Sequence, residues 1–380
     1  MINILEILAV LWIIISSGSV FFTIVRMQVT MGILFLIAVI YLMKNGRISE
    51  RNLYIFFSIT IILIINIIIN IDYDIALTDT IIIFIKLFSL MVIQSNISMD
   101  KFKKYFINIM AALCLISDIC FGILTVIPNF KLPLLMESFR GFNQYIYTFY
   151  YTMSWTKDYQ RNSGIFWEPG AYQVFIIIAI ILLMHKREKD KYRIHKFILF
   201  SITLITTFSV TGYVCYIIAL LYSFFMDKSY RKENFKIKVL SLILIGIMVF
   251  IEINFNIMGH KLVAKEGSYN TRYNDTVSSL TVISGKPLTG YGVSNKYVRN
   301  NMENKYGVVH NSNGLLISFY DLGIPIMLLY LYFFYKGQRD IFGNKGLASI
   351  YTFSLFLIFF NSESLIPMTL FISFIFKWED

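Results

Sequence analysis

The chain has 380 residues, 57% of them hydrophobic and only 15% charged, with a mean hydropathy of +0.66, so one soluble core cannot hide its apolar excess and lipid must solvate it. The net charge of +11 does not point to a nucleic-acid partner, because the basic residues lie in short connections between apolar runs and not on one soluble module. A β-barrel is excluded as well: its strands alternate over about 10 residues, whereas Ile55 to Ile71 is apolar on every face.

A bilayer core about 30 Å thick takes on the order of 20 helical residues to cross. Runs of that kind predict spans over 5–24, 28–43, 53–71, 76–95, 106–127, 171–185, 195–209, 212–226, 238–255, 313–335, 346–361 and 364–376. The expected fold is therefore all-α, a polytopic transmembrane helical bundle of about 10–12 spans forming a single integral membrane domain over 1–380. The N-terminus enters an apolar run with no small-residue cleavage site and reads as the first span, although Ser16 to Ser19 are polar enough to fray its end. Cys114, Cys120 and Cys215 all fall within apolar runs and read as packing residues.

Orientation follows from Lys and Arg, because short basic loops resist translocation. Segments 44–52, 96–105, 186–196, 227–238, 336–345 and 377–380 hold 21 basic residues in 56 positions and are assigned to the cytoplasm, which puts both termini there. Basic segments flank both ends of Phe197 to Met226, so that run must cross twice, with its turn expected at Ser209, Val210, Thr211 and Gly212. The two longest outer connections are 128–170 and 256–312, far longer than the usual 2 to 8 residues between bundled helices, and such loops are functional or disordered. Trp155, Phe166, Trp167, Tyr172, Tyr269, Tyr273 and Tyr291 give them material for docking on the membrane surface.

Within the first outer loop, Arg161-Asn162-Ser163-Gly164-Ile165-Phe166-Trp167-Glu168-Pro169-Gly170-Ala171-Tyr172 stands where the chain re-enters the bilayer. Pro169 suits a first helical turn, Glu168 complements the positive helix end, and Arg161 offers a fork-shaped cation for phosphate oxygens. An Arg161 to Glu168 surface ion pair at a helix entry is an equally good account of the same residues. The second loop carries Arg272 beside Tyr273, a Gly-rich turn from Gly285 to Gly292 that includes Tyr291, and Val309-His310-Asn311-Ser312-Asn313-Gly314. Of four histidines, only His310 sits at the outer entry of a span, where an imidazole serves as a general base; Asn311, Ser312 and Asn313 equally suit a helix cap. Lys86 and Asp118 lie near mid-bilayer and are expected to form an ion pair. No zinc spacing, Walker loop or Gly-x-Ser-x-Gly elbow occurs, so chemistry without metal or cofactor is expected.

Taken in order, these segments resemble the Wzy-type O-antigen and capsular polysaccharide polymerases, relatives of the O-antigen ligases. Arg161, Gly164, Phe166, Glu168 and Pro169 resemble the first outer-loop signature, and Ser209 to Gly212 its Ser-x-Thr-Gly turn; Pro287 to Gly292 and His310-Asn311 resemble the second loop, and Asn361 to Ser364 a late turn. The resemblance covers roughly residues 155 to 376. It implies a lipid-dependent glycosyltransferase of the GT-C-like type in a bacterial inner (cytoplasmic) membrane. Its substrates would be undecaprenyl-diphosphate-linked oligosaccharide repeats, and a chain-length regulator and a flippase are further partners it allows. On that basis His310 is the expected catalytic base of an inverting transfer, and Arg161, Arg272, Glu168, Asn311, Tyr273 and Tyr291 are the expected substrate-binding residues. An O-antigen ligase shares the Arg and His logic. A flippase or other transporter fits less well with two long outer loops and no internal repeat.

Overall fold

The computed structural model describes residues 4–21, 25–71, 77–128, 130, 132–136, 144–147, 150–153, 161–185, 191–225, 239–240, 242–246, 266–308, 311–342, 347–362 and 368–379. In chain order these form α1 (Ile4–Ile15), α2 (Met27–Asn45), α3 (Glu50–Ile69), α4 (Leu77–Gln94) and α5 (Met99–Val126). Four short strands follow, β1 (Leu134–Met136), β2 (Gln144–Tyr147), β3 (Tyr150–Met153) and β4 (Arg161–Asn162), and then α6 (Pro169–His185), α7 (Arg193–Thr206) and α8 (Val210–Phe225). The chain continues through α9 (Glu266–Gly285), α10 (Lys296–Tyr306), α11 (Gly314–Leu322), α12 (Ile324–Phe342), α13 (Leu347–Ser362) and α14 (Thr369–Ser373).

The protein is a helical membrane protein. Among the described residues, Met27–Lys44, Glu50–Ile69, Leu77–Gln94 and Met99–Val126 are long and apolar enough to cross a bilayer. Only 28% of Glu50–Ile69 and 22% of Met99–Val126 is buried within the protein, so the rest of their apolar surface requires lipid. The span expected over 238–255 falls largely outside the described residues, and within the one expected over 364–376 a five-residue helix, α14, is described.

Contacts divide the chain into two compact units. The first comprises Met1–Ser17, Val25–Met99 and Leu262–Asp380. Here α2 and α4 pack side by side, α1 and α3 flank them, and α12 and α13 pack together. Phe334 on α12 meets Phe356 and Phe360 of α13 and Phe374 just after α14, with ring centroids 4.8 to 5.9 Å apart, a mostly edge-on aromatic core. The C-terminal residues are fastened to this unit: Asn52 donates from Nδ2 to the Lys377 carbonyl at 2.7 Å and accepts from the Lys377 N–H at 2.8 Å, while the Glu379 N–H donates to the Gln94 carbonyl at 2.9 Å.

The helix expected without interruption over 313–335 is broken at Gly323, whose φ of 85° and ψ of 159° belong to a region open only to glycine. The break receives the Gly-rich turn from Gly285 to Gly292. Tyr291 and Gly292 N–H groups donate to the carbonyls of Tyr320 and Asp321 at 2.8 and 2.9 Å, and the Ile324 N–H donates to the Pro287 carbonyl at 2.8 Å. A Cβ on Gly290 would stand 2.6 Å from the Asp321 carbonyl oxygen, and one on Gly323 2.5 Å from that of Leu288. The two glycines are thus required by backbone lying on backbone, which also satisfies the polar groups freed by the helix break.

The second unit comprises Gly18–Ile24 and Asp100–Lys261. Its strands form one antiparallel sheet in the order β1-β2-β3-β4, with Thr152 opposite Asn162 and Met153 opposite Arg161. The connection over 128–170 therefore contains a small sheet among otherwise helical described residues. α6 is apolar all round and buried from Ala171 to Met184, as a helix without a polar face must be, and it packs against both α7 and α8. The expected hairpin is present, but its turn falls at Thr207 to Ser209, slightly earlier than the composition suggests. Ser209 is the reason: its hydroxyl accepts the Gly212 N–H at 3.3 Å and caps α8, so Val210 to Gly212 already belong to the helix.

Candidate functional site

In the second unit, the residues around Arg161 form a closed latch. Asn162 accepts the Gly164 N–H on Oδ1 at 3.0 Å, a side-chain turn that places Gly164 at φ 55°. A Cβ there would lie 2.7 Å from the Tyr172 ring, which accounts for the glycine. The Phe166 ring stacks against Tyr172 and Phe175, with centroids 5.4 and 4.2 Å away, and the Tyr172 hydroxyl shares a 2.8 Å hydrogen bond with Ser117. Pro169 opens α6 as expected, and the Glu168 carbonyl accepts the first helical bond, from the Tyr172 N–H at 3.1 Å.

Arg161 is the half-buried member of this latch. Its Nε donates to the Thr207 carbonyl at 3.0 Å and its Nη2 to the Phe208 carbonyl at 3.2 Å. These carbonyls directly follow the end of α7, where the helix dipole is negative and a cation is favoured. The guanidinium plane is therefore set by main chain. Among the described residues the Glu168 carboxylate makes no hydrogen bond or ion pair, so the Arg161 to Glu168 pair is not the arrangement found.

Asp118 is held by amide and hydroxyl donors. Its Oδ1 accepts from Asn162 Nδ2 at 3.0 Å and its Oδ2 from the Thr203 hydroxyl at 2.7 Å, with the Thr206 hydroxyl 3.5 Å from Oδ1. Asp118 is thus satisfied by neutral donors within its own unit, whereas Lys86, expected as its partner, belongs to the first unit. Span depth alone does not distinguish a charged partner from amide and hydroxyl donors, which satisfy a carboxylate equally.

In the first unit, α9 carries Arg272 and Tyr273, both exposed, and the buried Asp275. Asp275 Oδ2 accepts from the Ser312 N–H at 2.8 Å and from the Ser312 hydroxyl at 2.6 Å, and Asn311 Nδ2 donates to the Ser279 hydroxyl at 2.6 Å. Asn313 is the cap of α11, accepting the Leu316 N–H at 3.1 Å, and Asn311 Oδ1 accepts the Asn313 N–H at 2.8 Å. The cap expected of this segment is therefore present, and two anchors tie it to α9. Arg272 stands one turn before Asp275 on the same stripe of α9 as Asp275 and Ser279. Tyr291 packs against the cluster of Val298, Met302, Val308 and Tyr320, with Lys286 Nζ 5.2 Å from its ring centroid. His310 lies outside the described residues.

Sequence reasoning missed Asp275 as the anchor of Ser312 and the amide and hydroxyl donors of Asp118; Asn162 stood in the quoted signature without a role. Among the described residues no cluster of His, Cys, Asp and Glu suits a metal ion.

The family comparison decides the class, because residues 195–331 match the O-antigen ligase family. That segment of the chain is similar to the O-antigen ligases, whose members are glycosyltransferase-like enzymes, and it supports the resemblance to the O-antigen ligase and polymerase superfamily. The match contains the hairpin turn at Ser209, the docked turn at Pro287 to Gly292 and the Asn311 cap, whereas Arg161 precedes it. No curated protein and no solved structure matches the chain.

Proposed function

We propose that this O-antigen ligase-type protein is a polysaccharide polymerase, moving a growing glycan from undecaprenyl diphosphate onto a lipid-linked oligosaccharide repeat at the outer face of the bacterial inner membrane. The observation that most supports this is the half-buried Arg161 guanidinium, oriented by two helix-end carbonyls beside a latch of signature residues. A preset cationic fork suits a diphosphate leaving group, because it stabilises charge without reorganising as the bond breaks. The segment that follows His310 in sequence is tied to α9 by Asn311 and Ser312, which suits a motif with a functional part.

In this mechanism His310 accepts the proton of the acceptor hydroxyl, whose oxygen bonds to the anomeric carbon. The anomeric carbon–oxygen bond to phosphate breaks, and the departing diphosphate takes the electron pair, stabilised by Arg161 and Arg272. One displacement inverts the anomeric centre, and no metal takes part. Glu168, Asn311, Tyr273 and Tyr291 contact sugar or orient the cations.

The family's description as an O-antigen ligase supports a second reading, in which the same donor chemistry serves a different acceptor. Purified protein given lipid-linked repeats alone discriminates the two. A polymerase yields a ladder of lengthened glycans that His310→Ala abolishes; a ligase yields none until its own acceptor is added. A full ladder from His310→Ala removes the base from this mechanism.

A further inference from the structure

We propose that Asp118 is a positioning residue for Arg161, holding both the strand that carries the guanidinium and the helix end that receives it. Asn162 is the neighbour of Arg161 on β4, and successive strand residues point to opposite faces, so fixing the Asn162 side chain fixes the direction in which Arg161 leaves the strand. Asn162 Nδ2 is held by Asp118 Oδ1 at 3.0 Å and by the Thr206 hydroxyl at 2.9 Å. On the other side, Thr203 and Thr206 lie in the last turn of α7, and Thr203 donates to Asp118 Oδ2 at 2.7 Å. The carbonyls that receive Arg161 belong to Thr207 and Phe208, which follow directly on that turn. One carboxylate therefore ties together the two ends of the Arg161 clamp.

A carboxylate within an apolar span is costly, and a neutral amide or hydroxyl would suffice to fill a polar gap between helices. An anion accepts on both oxygens at once and forms stronger bonds than a neutral acceptor, which suits an anchor with donors on two different elements. Asp118 acts through Asn162 and Thr203, and it is not assigned a part in the chemistry.

The inference rests on Arg161 as a diphosphate-binding cation, so the test separates the two claims. The full-length protein in detergent is titrated with farnesyl diphosphate as wild type, Arg161→Gln, Asp118→Ala, Asp118→Asn and the Asp118→Ala/Arg161→Gln double variant, with thermal unfolding of each in parallel. The expected result is that Arg161→Gln and Asp118→Ala each weaken binding about tenfold and that the double variant is no weaker than Arg161→Gln. Asp118→Asn, which keeps an acceptor for Asn162, recovers part of the loss. In the ladder assay the donor KM rises for Asp118→Ala more than kcat falls. Unchanged affinity in a thermally weakened Asp118→Ala, or losses that simply multiply in the double variant, overturn the positioning role while leaving Arg161 as a ligand. An Arg161→Gln protein that binds as wild type overturns the Arg161 assignment itself, and the inference with it. If Asp118→Ala does not fold, Thr203→Val and Thr206→Val carry the same measurement, and undiminished binding in both counts against the proposal.

Discussion

Arg161 and Thr207 are joined by a 3.0 Å hydrogen bond from the arginine Nε to a helix-end carbonyl, across 46 positions of sequence. A second bond to Phe208 makes the contact two-pronged, so two backbone carbonyls hold the cation's direction. A lysine supplies charge but cannot reproduce the fork. Arg161→Lys is expected to lower ladder formation at least tenfold, with a thermal midpoint near that of wild type, as read by gel and by unfolding in detergent. Retained activity in Arg161→Lys would show that charge alone is enough.

Gly290 and Gly323 each leave a gap that admits no Cβ, at 2.6 and 2.5 Å from facing main-chain carbonyl oxygens, and both have positive φ. Backbone strain of this kind costs on the order of 1–3 kcal/mol, before the overlap itself is counted. Gly290→Ala and Gly323→Ala should each lower thermal stability measurably. Combined, they should cost less than the sum, because one displaced turn relieves both clashes. Fully additive losses would mean that the turn and the helix break are not one docked structure.

Asp275 holds the Ser312 N–H and hydroxyl from a buried position on α9. Asp275→Ala removes the acceptor that both Ser312 donors share, at about 0.5–1.5 kcal/mol for each hydrogen bond lost. Hydrogen exchange should quicken at the start of α11 ahead of the rest of the protein, and polymerisation should fall together with it. Protection equal to wild type in that segment would count against the anchor.

Asn52 exchanges two hydrogen bonds with Lys377, one donated and one accepted. Asn52→Ala should release the C-terminal residues, so that a C-terminal tag becomes more rapidly cleaved by added protease while ladder formation persists. Cleavage at the wild-type rate would show that other contacts, among them the Glu379 backbone bonds to Gln94, Ile97 and Met99, hold the end without Asn52.

What the amino-acid order determined by itself is local or collective. The apolar runs at α2 to α5 follow from the length a bilayer demands, the helical hairpin of α7 and α8 from its turn residues, the start of α6 from Pro169, and the α11 cap from Asn313. Each depends on neighbours within a few turns, or on solvent that acts on the whole run. Only the tertiary structure decided which groups answer Arg161 and Asp118, why Gly290 faces Gly323, and that the helix from Gly314 breaks at Gly323. Those outcomes join residues dozens of positions apart, and several donors and acceptors in the chain would satisfy each group equally. The choice among them was made by packing, through which helix end and which strand the fold brings within about 3 Å of each other.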